Sequence, residues 1–233
     1  MDINSLSYYW DIIADLYFGL GATTGGLMIN LGLALVAIPT CFVFGLLVAL
    51  LSGSRLMPLR VFSKIYIECA KSTPLILMIF WFYSLLPAFF GIDVGLIKSG
   101  FYAIVFIETA YMSEVFRSGL NSIEHRTIEI AKVNGLNRFS IIVYIIAPQV
   151  VIRMLPALIG VCISLFKDTS AIYIIGVVEL TQTGSIIANR DPDSLIFIYI
   201  VTGLGYYVVC SLFSFVERIV SNRCVYQSVN GLQ

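Results

Sequence analysis

Five apolar stretches, at roughly 24–51, 65–89, 99–119, 141–166 and 194–216, govern what this chain can fold into. Each is long enough to cross a bilayer as a helix, which takes about 20 largely apolar residues. In lipid every backbone polar group has to be satisfied inside the protein, and successive apolar runs of this length do that as helices. The expected fold is an all-α polytopic membrane protein with five core transmembrane helices. Composition agrees: 59% of the residues are hydrophobic and 12% are charged, whereas soluble domains are about a quarter charged. Fourteen Lys+Arg balance fourteen Asp+Glu, so charge gives no reason to expect a nucleic-acid partner and has to be read by position.

The short loops set an orientation. With the N-terminus outside, cytoplasmic segments hold Arg55, Arg60, Lys64, Arg117, Arg126, Lys132, Arg138, Arg218 and Arg223, against Lys98, Lys167 and Arg190 outside. That bias puts the N-terminus out and the C-terminus in. The first nineteen residues carry Asp2, Asp11 and Asp15 and no Lys or Arg, unlike the basic start of a secretory signal peptide. Tyr8, Tyr9, Trp10 and Tyr17 suit a short helix at the membrane interface. The chain divides into an external interfacial segment at 1–19, one membrane domain at 20–217 and a cytoplasmic tail at 218–233. Cys41, Cys69, Cys162, Cys210 and Cys224 lack the paired spacing of a metal site or disulfide framework and read as small core residues. Gly21 with Gly25, and Gly91 with Gly95, have a small-xxx-small spacing that suits close helix packing.

Two loops are long for helix connections, a cytoplasmic one near 120–140 and an external one near 168–193. In the first, Ser122 to Asn134 suits a helix, with Ile123, Ile130 and Ala131 on one face and Glu124, Arg126 and Lys132 elsewhere. Gly135 is placed to end it in a left-handed turn, Leu136 to pack back over the last turn, and Asn137 to cap the next helix. Spacing alone fits either a force-transmitting bracket or an amphipathic connector resting on lipid. In the second loop, Asp168, Glu179, Arg190, Asp191 and Asp193 surround the apolar run Ala171 to Val178, which is too short to span and is expected to fold into an outer vestibule.

Glu129-Ile130-Ala131, Gly135 six residues after the Glu, then Ile145 and Pro148, resemble the EAA signature of permease subunits in binding-protein-dependent ABC importers. Ile130 and Ala147 depart from that pattern, both conservatively. Lys71-Ser72-Thr73-Pro74, Ala110-Tyr111 through Glu114 and Arg117, Phe166 to Ser170, and Gly176 to Leu180 resemble segments of the polar amino-acid branch, in order over roughly 20–216. The resemblance implies a type I ABC importer permease fold with a cytoplasmic coupling helix, in a bacterial cytoplasmic (inner) membrane. It implies an identical or homologous second permease, two ATPase subunits that bind the ATP and Mg, and a periplasmic or extracellular substrate-binding protein that delivers an amino acid. Carried onto this chain, Glu129 is the polar contact with the ATPase, Ala131 the close-packing position, Gly135 the corner and Pro148 the start of a mobile span.

Ionisable groups inside spans are functional candidates. Arg153, Ala157, Gly160, Ser164 and Lys167 recur at helical spacing as a small or polar stripe, about 21 Å long. The stripe, ending at Lys167 and Asp168, can line a substrate path or pack against a partner, with Lys167 and Asp168 neutralising one another. Arg153 and Lys167 favour an anionic or zwitterionic solute. Pro148 and Pro156 allow that span to bend. Glu68 with Lys71, and Glu114 with Arg117, stand three apart and suit ion pairs, while Glu108 has no obvious local partner.

The sequence contains no GxxxxGK[ST] loop, HExxH or GxSxG motif, so ATP hydrolysis is expected in a partner. No catalytic or metal-ligating set is expected. An ion-gradient-driven secondary transporter or channel is the rival reading, and it predicts inverted repeats with a midplane site that five spans do not display. An intramembrane enzyme needs a paired acid and base at one depth, which Glu108 alone does not supply.

Overall fold

The computed structural model describes residues 3–21, 25–123 and 125–230. Asp2 and Glu124, named above, lie outside them. Eleven α-helices follow in order among the described residues: α1 (Ile3–Phe18), α2 (Leu27–Ser52), α3 (Met57–Ser72), α4 (Leu75–Phe80), α5 (Leu86–Phe90), α6 (Leu96–Asn121), α7 (His125–Val133), α8 (Arg138–Ser140), α9 (Ala147–Asp168), α10 (Leu180–Arg190) and α11 (Leu195–Asn230). A π-helical turn at Trp81–Leu85 joins α4 to α5, and another at Ile141–Ile146 joins α8 to α9. Described residues form no β-strand, only a lone bridge between Gly26 and Glu179.

Three helical segments are long and apolar enough to cross a membrane, Leu27–Ser52, Ile141–Ile175 and Pro192–Asn222. A fourth crossing arises if α3 and the segment Leu75–Phe90 count as one span, although they meet at 106°. The sequence reads 65–89 as one uninterrupted run, and the break corrects that. Pro74 cannot donate to a helix and pushes the residue before it out of the helical region. Thr73 accordingly takes φ −98°, ψ 128°, and Pro74 starts a new helix. The remaining expected span is α6, whose 26 residues measure about 39 Å. It is less apolar because it is the central helix. Glu108, Thr109 and Ser113 are buried in it, as are Ala103, Ile104 and Ile107.

The main core lies between α2 and α6, closed by α9 and α4. Small residues of α2 (Ala34, Ala37, Cys41, Gly45, Ala49) let the two helices approach. A Cβ at Gly45 would stand 2.9 Å from Met112 Cβ. Outward-facing side chains of α2, including Leu35, Phe42, Phe44 and Leu47, remain exposed, which suits lipid as the solvent. Gly91 and Gly95 are not packing glycines. Both have positive φ (65° and 76°) with open space around them, and they turn the chain between α5 and α6. Cys69 is exposed, unlike buried Cys41, so not every cysteine is a core residue.

A second cluster joins α1 to α10 and α11 through Ile12, Leu16, Leu180, Ile187 and Ile198. The Tyr8 hydroxyl donates to Asp191 Oδ2 at 2.5 Å, tethering α1 to the loop before α11. α11 runs on as helix to Asn230, through most of the segment from 218.

Candidate functional site

The α9 stripe is the face that this chain leaves uncovered. Arg153, Ala157, Ser164 and Lys167 are exposed and Gly160 is half-buried, whereas Met154, Leu158 and Leu165 on the opposite face are buried in the core. The i, i+4, i+7 spacing therefore divides a core side from an open side. The open side runs along α6, and together the two helices form a trough with two adjoining cavities.

The upper cavity, about 380 Å³, is lined by Glu108, Tyr111, Gly160, Ser164 and Asp168 among others. A lower cavity of about 260 Å³ holds Glu114, Ser118, Ser122 and Arg153, and Ala157 lines both. Gly160 faces open space in the trough, where a Cβ would meet no atom within 4 Å. Glu108 is buried at 2% exposure. Its carboxyl lies beside that of Asp168, and its Oε2 has no hydrogen-bond partner. The third core helix thus supplies an acid whose neighbour comes from the end of α9, a long-range pairing that local spacing does not reveal.

The charges along the trough are arranged differently from the local pairs expected. Lys71 reaches across from α3 to Glu114 at 2.6 Å, with Arg117 also near Glu114 at 3.7 Å. The Glu114–Arg117 pair is present, but Lys71 takes Glu114 rather than Glu68. The Arg153 guanidinium donates to the Ser122 carbonyl at 2.5 Å, which fixes α9 against the end of α6. No ion pair joins Lys167 to Asp168 among the described residues.

The cytoplasmic corner forms as its sequence dictates. Gly135 has φ 80°, its N–H donates to Lys132 O at 3.0 Å, and Leu136 N–H donates to Ala131 O at 3.2 Å. That pair of bonds is a Schellman motif, with glycine in the left-handed position that lacks the Cβ penalty. Asn137 Oδ1 accepts from Ser140 N at 2.7 Å, capping α8. Ala131 is buried, whereas Ile130 is exposed, so these two do not share a face as expected. Glu129, Ile130, Val133 and Arg126 line a shallow hollow on the outward side of α7. Pro148 follows directly on the π-helical turn Ile141–Ile146, inside a helical run that continues into α9, so its missing N–H falls within the helix.

Sequence reading does not reveal a buried polar knot at the other end of the molecule. Glu179 and Asn30 are both fully buried. Glu179 accepts from Asn30 Nδ2 at 3.0 Å, the Tyr206 hydroxyl at 2.7 Å, and the backbone N–H groups of Thr181 and Gln182 at 2.9 Å each. Asn30 also donates to Thr169 Oγ1 at 2.9 Å and accepts from Leu180 N–H at 3.0 Å. Glu179 is thus the N-cap of α10 and ties it to α2 and α11, not a solvated charge of an external loop. The run after Asp168 continues as a 3-10 helix, Thr169–Ile175, packed into the core through Ile172 and Ile175.

Described residues contain no cluster of three or more His, Cys, Asp or Glu arranged to hold a metal. Residues 17–226 match the family described as binding-protein-dependent transport system inner membrane component. The chain is 32% identical over 186 residues to the probable glutamine ABC transporter permease protein GlnP of Bacillus subtilis (strain 168), covering 79% of this chain and 85% of the relative. It is 30% identical over 191 residues to the glutamate/aspartate import permease protein GltK of Escherichia coli O6:H1, with the same coverages. A crystal structure of an amino acid ABC transporter with histidines superposes with a TM-score of 0.80 at 25% identity, covering 96% of this chain and 99% of that one. An inward-facing MetNI methionine ABC transporter shares the fold at a TM-score of 0.65 and 15% identity, over 94% of this chain and 99% of that one. With the family match running through almost the whole of a helical membrane chain that carries an open polar trough, the protein belongs to the binding-protein-dependent transport system inner membrane components, the permease subunits of ABC importers.

Proposed function

We propose that this permease carries a polar amino acid along the α6–α9 trough and is driven by two ATPase subunits that bind the ATP and Mg. The trough carries the reading. A polar and small stripe on the outer face of an otherwise apolar helix bundle is costly in lipid, and a second permease, identical or homologous, would cover it. Two such troughs facing one another enclose a path. A periplasmic or extracellular binding protein supplies the substrate at the outer end, near Asp168 and Lys167.

The coupling surface is the outward side of α7. Glu129 is exposed in this chain, free to enter a groove on an ATPase. Ala131 seats the helix on its own subunit, Gly135 forms the corner and Pro148 begins the span that the corner moves. The N-terminus lies outside and the C-terminus inside, supported by the Lys/Arg bias of the loops and by five crossings if α3–α5 count as one.

The test is ATP-driven uptake of labelled amino acids by the whole complex in proteoliposomes. Glu129→Ala should leave the permease's own melting temperature unchanged, because exposed substitutions fall within about 0.5 kcal/mol. It should reduce uptake by about two to four orders of magnitude, since removing a Glu desolvated at a joint costs about 3–5 kcal/mol. Gly160→Leu should fill the trough and stop uptake without loss of assembly. Uptake that follows an ion gradient, needs no ATP and ignores both changes would establish the secondary-transporter reading instead.

A further inference from the structure

A recess lies away from the trough, against another face of α6. Four elements enclose it: Phe44 and Val48 come from α2, Phe62 and Tyr66 from α3, Phe82 from the π-helical turn Trp81–Leu85, and Phe106 from α6. It measures about 380 Å³, within the size range of small-molecule sites. The break in the second span makes room for it. Because α3 leaves the line of Leu75–Phe90 by 106°, α3 and the π-helical turn each meet α6 but leave a gap between them.

The walls are aromatic and held in place. The Phe106 ring stands 5.1 Å from the Tyr66 ring and 6.3 Å from that of Phe82, between centroids. The Tyr66 hydroxyl donates to the Phe106 carbonyl at 2.6 Å, and the Ser63 hydroxyl to the Arg60 carbonyl at 3.0 Å. With these hydroxyls turned to the backbone, the lining presents almost no polar surface. A free amino acid, whose ammonium and carboxylate both need partners once desolvated, finds none here. That separates the recess from the substrate path.

Unpaired positive charge gathers at one end. Arg55 stands in the turn that follows Leu51, the last lining residue of α2, and Arg60 lies one turn before Ser63 of α3. Both are exposed, as is the neighbouring Lys64, and none of the three joins an ion pair among the described residues. No Asp or Glu occurs anywhere from Leu16 to Ile67, so nothing along α2 or the start of α3 offsets this charge. An apolar slot ended by free bases complements an amphiphile with an apolar chain and an anionic head. Arg and Lys beside a bilayer attract such heads.

We infer that the recess is a binding site for one anionic phospholipid, with an acyl chain against Phe106 and the phosphate held by Arg55 and Arg60. The lipid belongs to the leaflet that meets the α2–α3 turn, which is the cytoplasmic one in the orientation proposed above. A chain packed there braces α3 against α6 across the broken span.

The complex of permease and ATPase subunits, stripped of lipid in detergent, is titrated with phosphatidylglycerol and with phosphatidylcholine of the same chains, and bound lipid is counted by native mass spectrometry. Phosphatidylglycerol should bind about thirtyfold more tightly, the effect of two cations close to an anionic head. Arg55→Gln combined with Arg60→Gln should remove most of that preference and leave phosphatidylcholine binding as it was. Arg218→Gln, at an exposed cation of α11 outside the lining, should change neither by more than about twofold. Val48→Trp should fill the recess and weaken phosphatidylglycerol about fivefold through lost packing contacts, with the ATPase subunits still co-purifying. Equal affinity for the two lipids, as expected if a partner subunit fills the recess, overturns the inference. So does a preference that survives the paired Arg substitutions, or phosphatidylglycerol binding that Val48→Trp leaves unchanged. The titration involves no transport, so its outcome is independent of whether uptake by the same complex needs ATP.

Discussion

Removing the Glu179 carboxyl should cost this protein more than any loop charge could. Glu179→Ala deletes four acceptor contacts at once. Asn30 and Tyr206 keep other partners, namely Thr169 and each other for Asn30, and Thr181 for Tyr206. The N–H groups of Thr181 and Gln182 lose the side chain that caps them. Cap loss costs about 0.5–2 kcal/mol, and unmaking hydrogen bonds in a buried site adds about 1–3 kcal/mol. Breaking a buried polar set altogether runs to about 3–5 kcal/mol. For a chain of this size 1 kcal/mol moves the melting point by about 2–4 °C, so the expected drop is about 6–20 °C. The assay is heating of the detergent-solubilised permease followed by recovery in size-exclusion chromatography. Glu179→Gln keeps one carbonyl oxygen and should lose about half as much, and Glu68→Ala, at an exposed acid of α3, should stay within about 2 °C. A Glu179→Ala shift no larger than the Glu68 control would refute the reasoning, because the knot would then contribute nothing that water or lipid headgroups do not replace.

Two glycines in the same fold should respond in opposite directions. Gly45→Val drives side-chain atoms into Met112 and the Ser113 backbone, 2.9 and 3.2 Å from the first carbon added, and should lower the apparent melting point by about 2–12 °C; Gly160→Ala, with open space around it, should raise it by about 2–4 °C through helix propensity, and an equal response at both would show that the α2–α6 contact is slack. At the outer surface, hydrogen bonds from Ser194 and then Tyr8 hold the Asp191 carboxyl below its ordinary value of 3.8. The contribution of these bonds is present above the ordinary carboxyl range and is lost as pH falls through the lowered value; Tyr8→Phe should raise the Asp191 midpoint in a ¹³C-carboxyl titration, Ser194→Ala should raise it further, and an unmoved midpoint in both would discount the tether.

What could be read in the sequence was whatever acts over a few residues. Gly135 and Asn137 form the corner because a left-handed glycine and an Asx cap each close bonds within six residues, and the α9 stripe follows from helical period alone. Hydropathy concealed the break at Thr73-Pro74, since apolar content continues through a residue whose ring forbids the helix. Asn30, the only amide in the largely apolar α2, was a local sign of the buried knot, but its partners stand 139 to 176 residues away. Separation along the chain, 43 residues, likewise hid Lys71–Glu114, and Glu108 and Asp168 come together from different helices. Charges at i, i+3 look paired in one dimension, and only the crossing of helices decides which neighbour is taken.

The two walls of the trough differ in how they are held, and that difference suits a transporter. The α6 wall is buried against α2 along small residues, with Gly45 seated on Met112, a contact that leaves little room to slide. The α9 wall begins at the α7 corner, passes through the π-helical turn Ile141–Ile146 and carries Pro156 within its length. A π-helical segment and a proline are places where a helix changes direction at least cost. If an ATPase displaces α7, the tight Schellman turn passes that motion to α9 rather than absorbing it. Ala157, Gly160 and Ser164 then shift against a fixed Glu108 and Tyr111. Arg153, bonded to the last turn of α6 through Ser122, is the latch such a movement has to strain or release. On the proposed reading, the span that the corner would move and the trough face it carries lie along one helical run, Ile141–Ile175, while the fixed wall is α6.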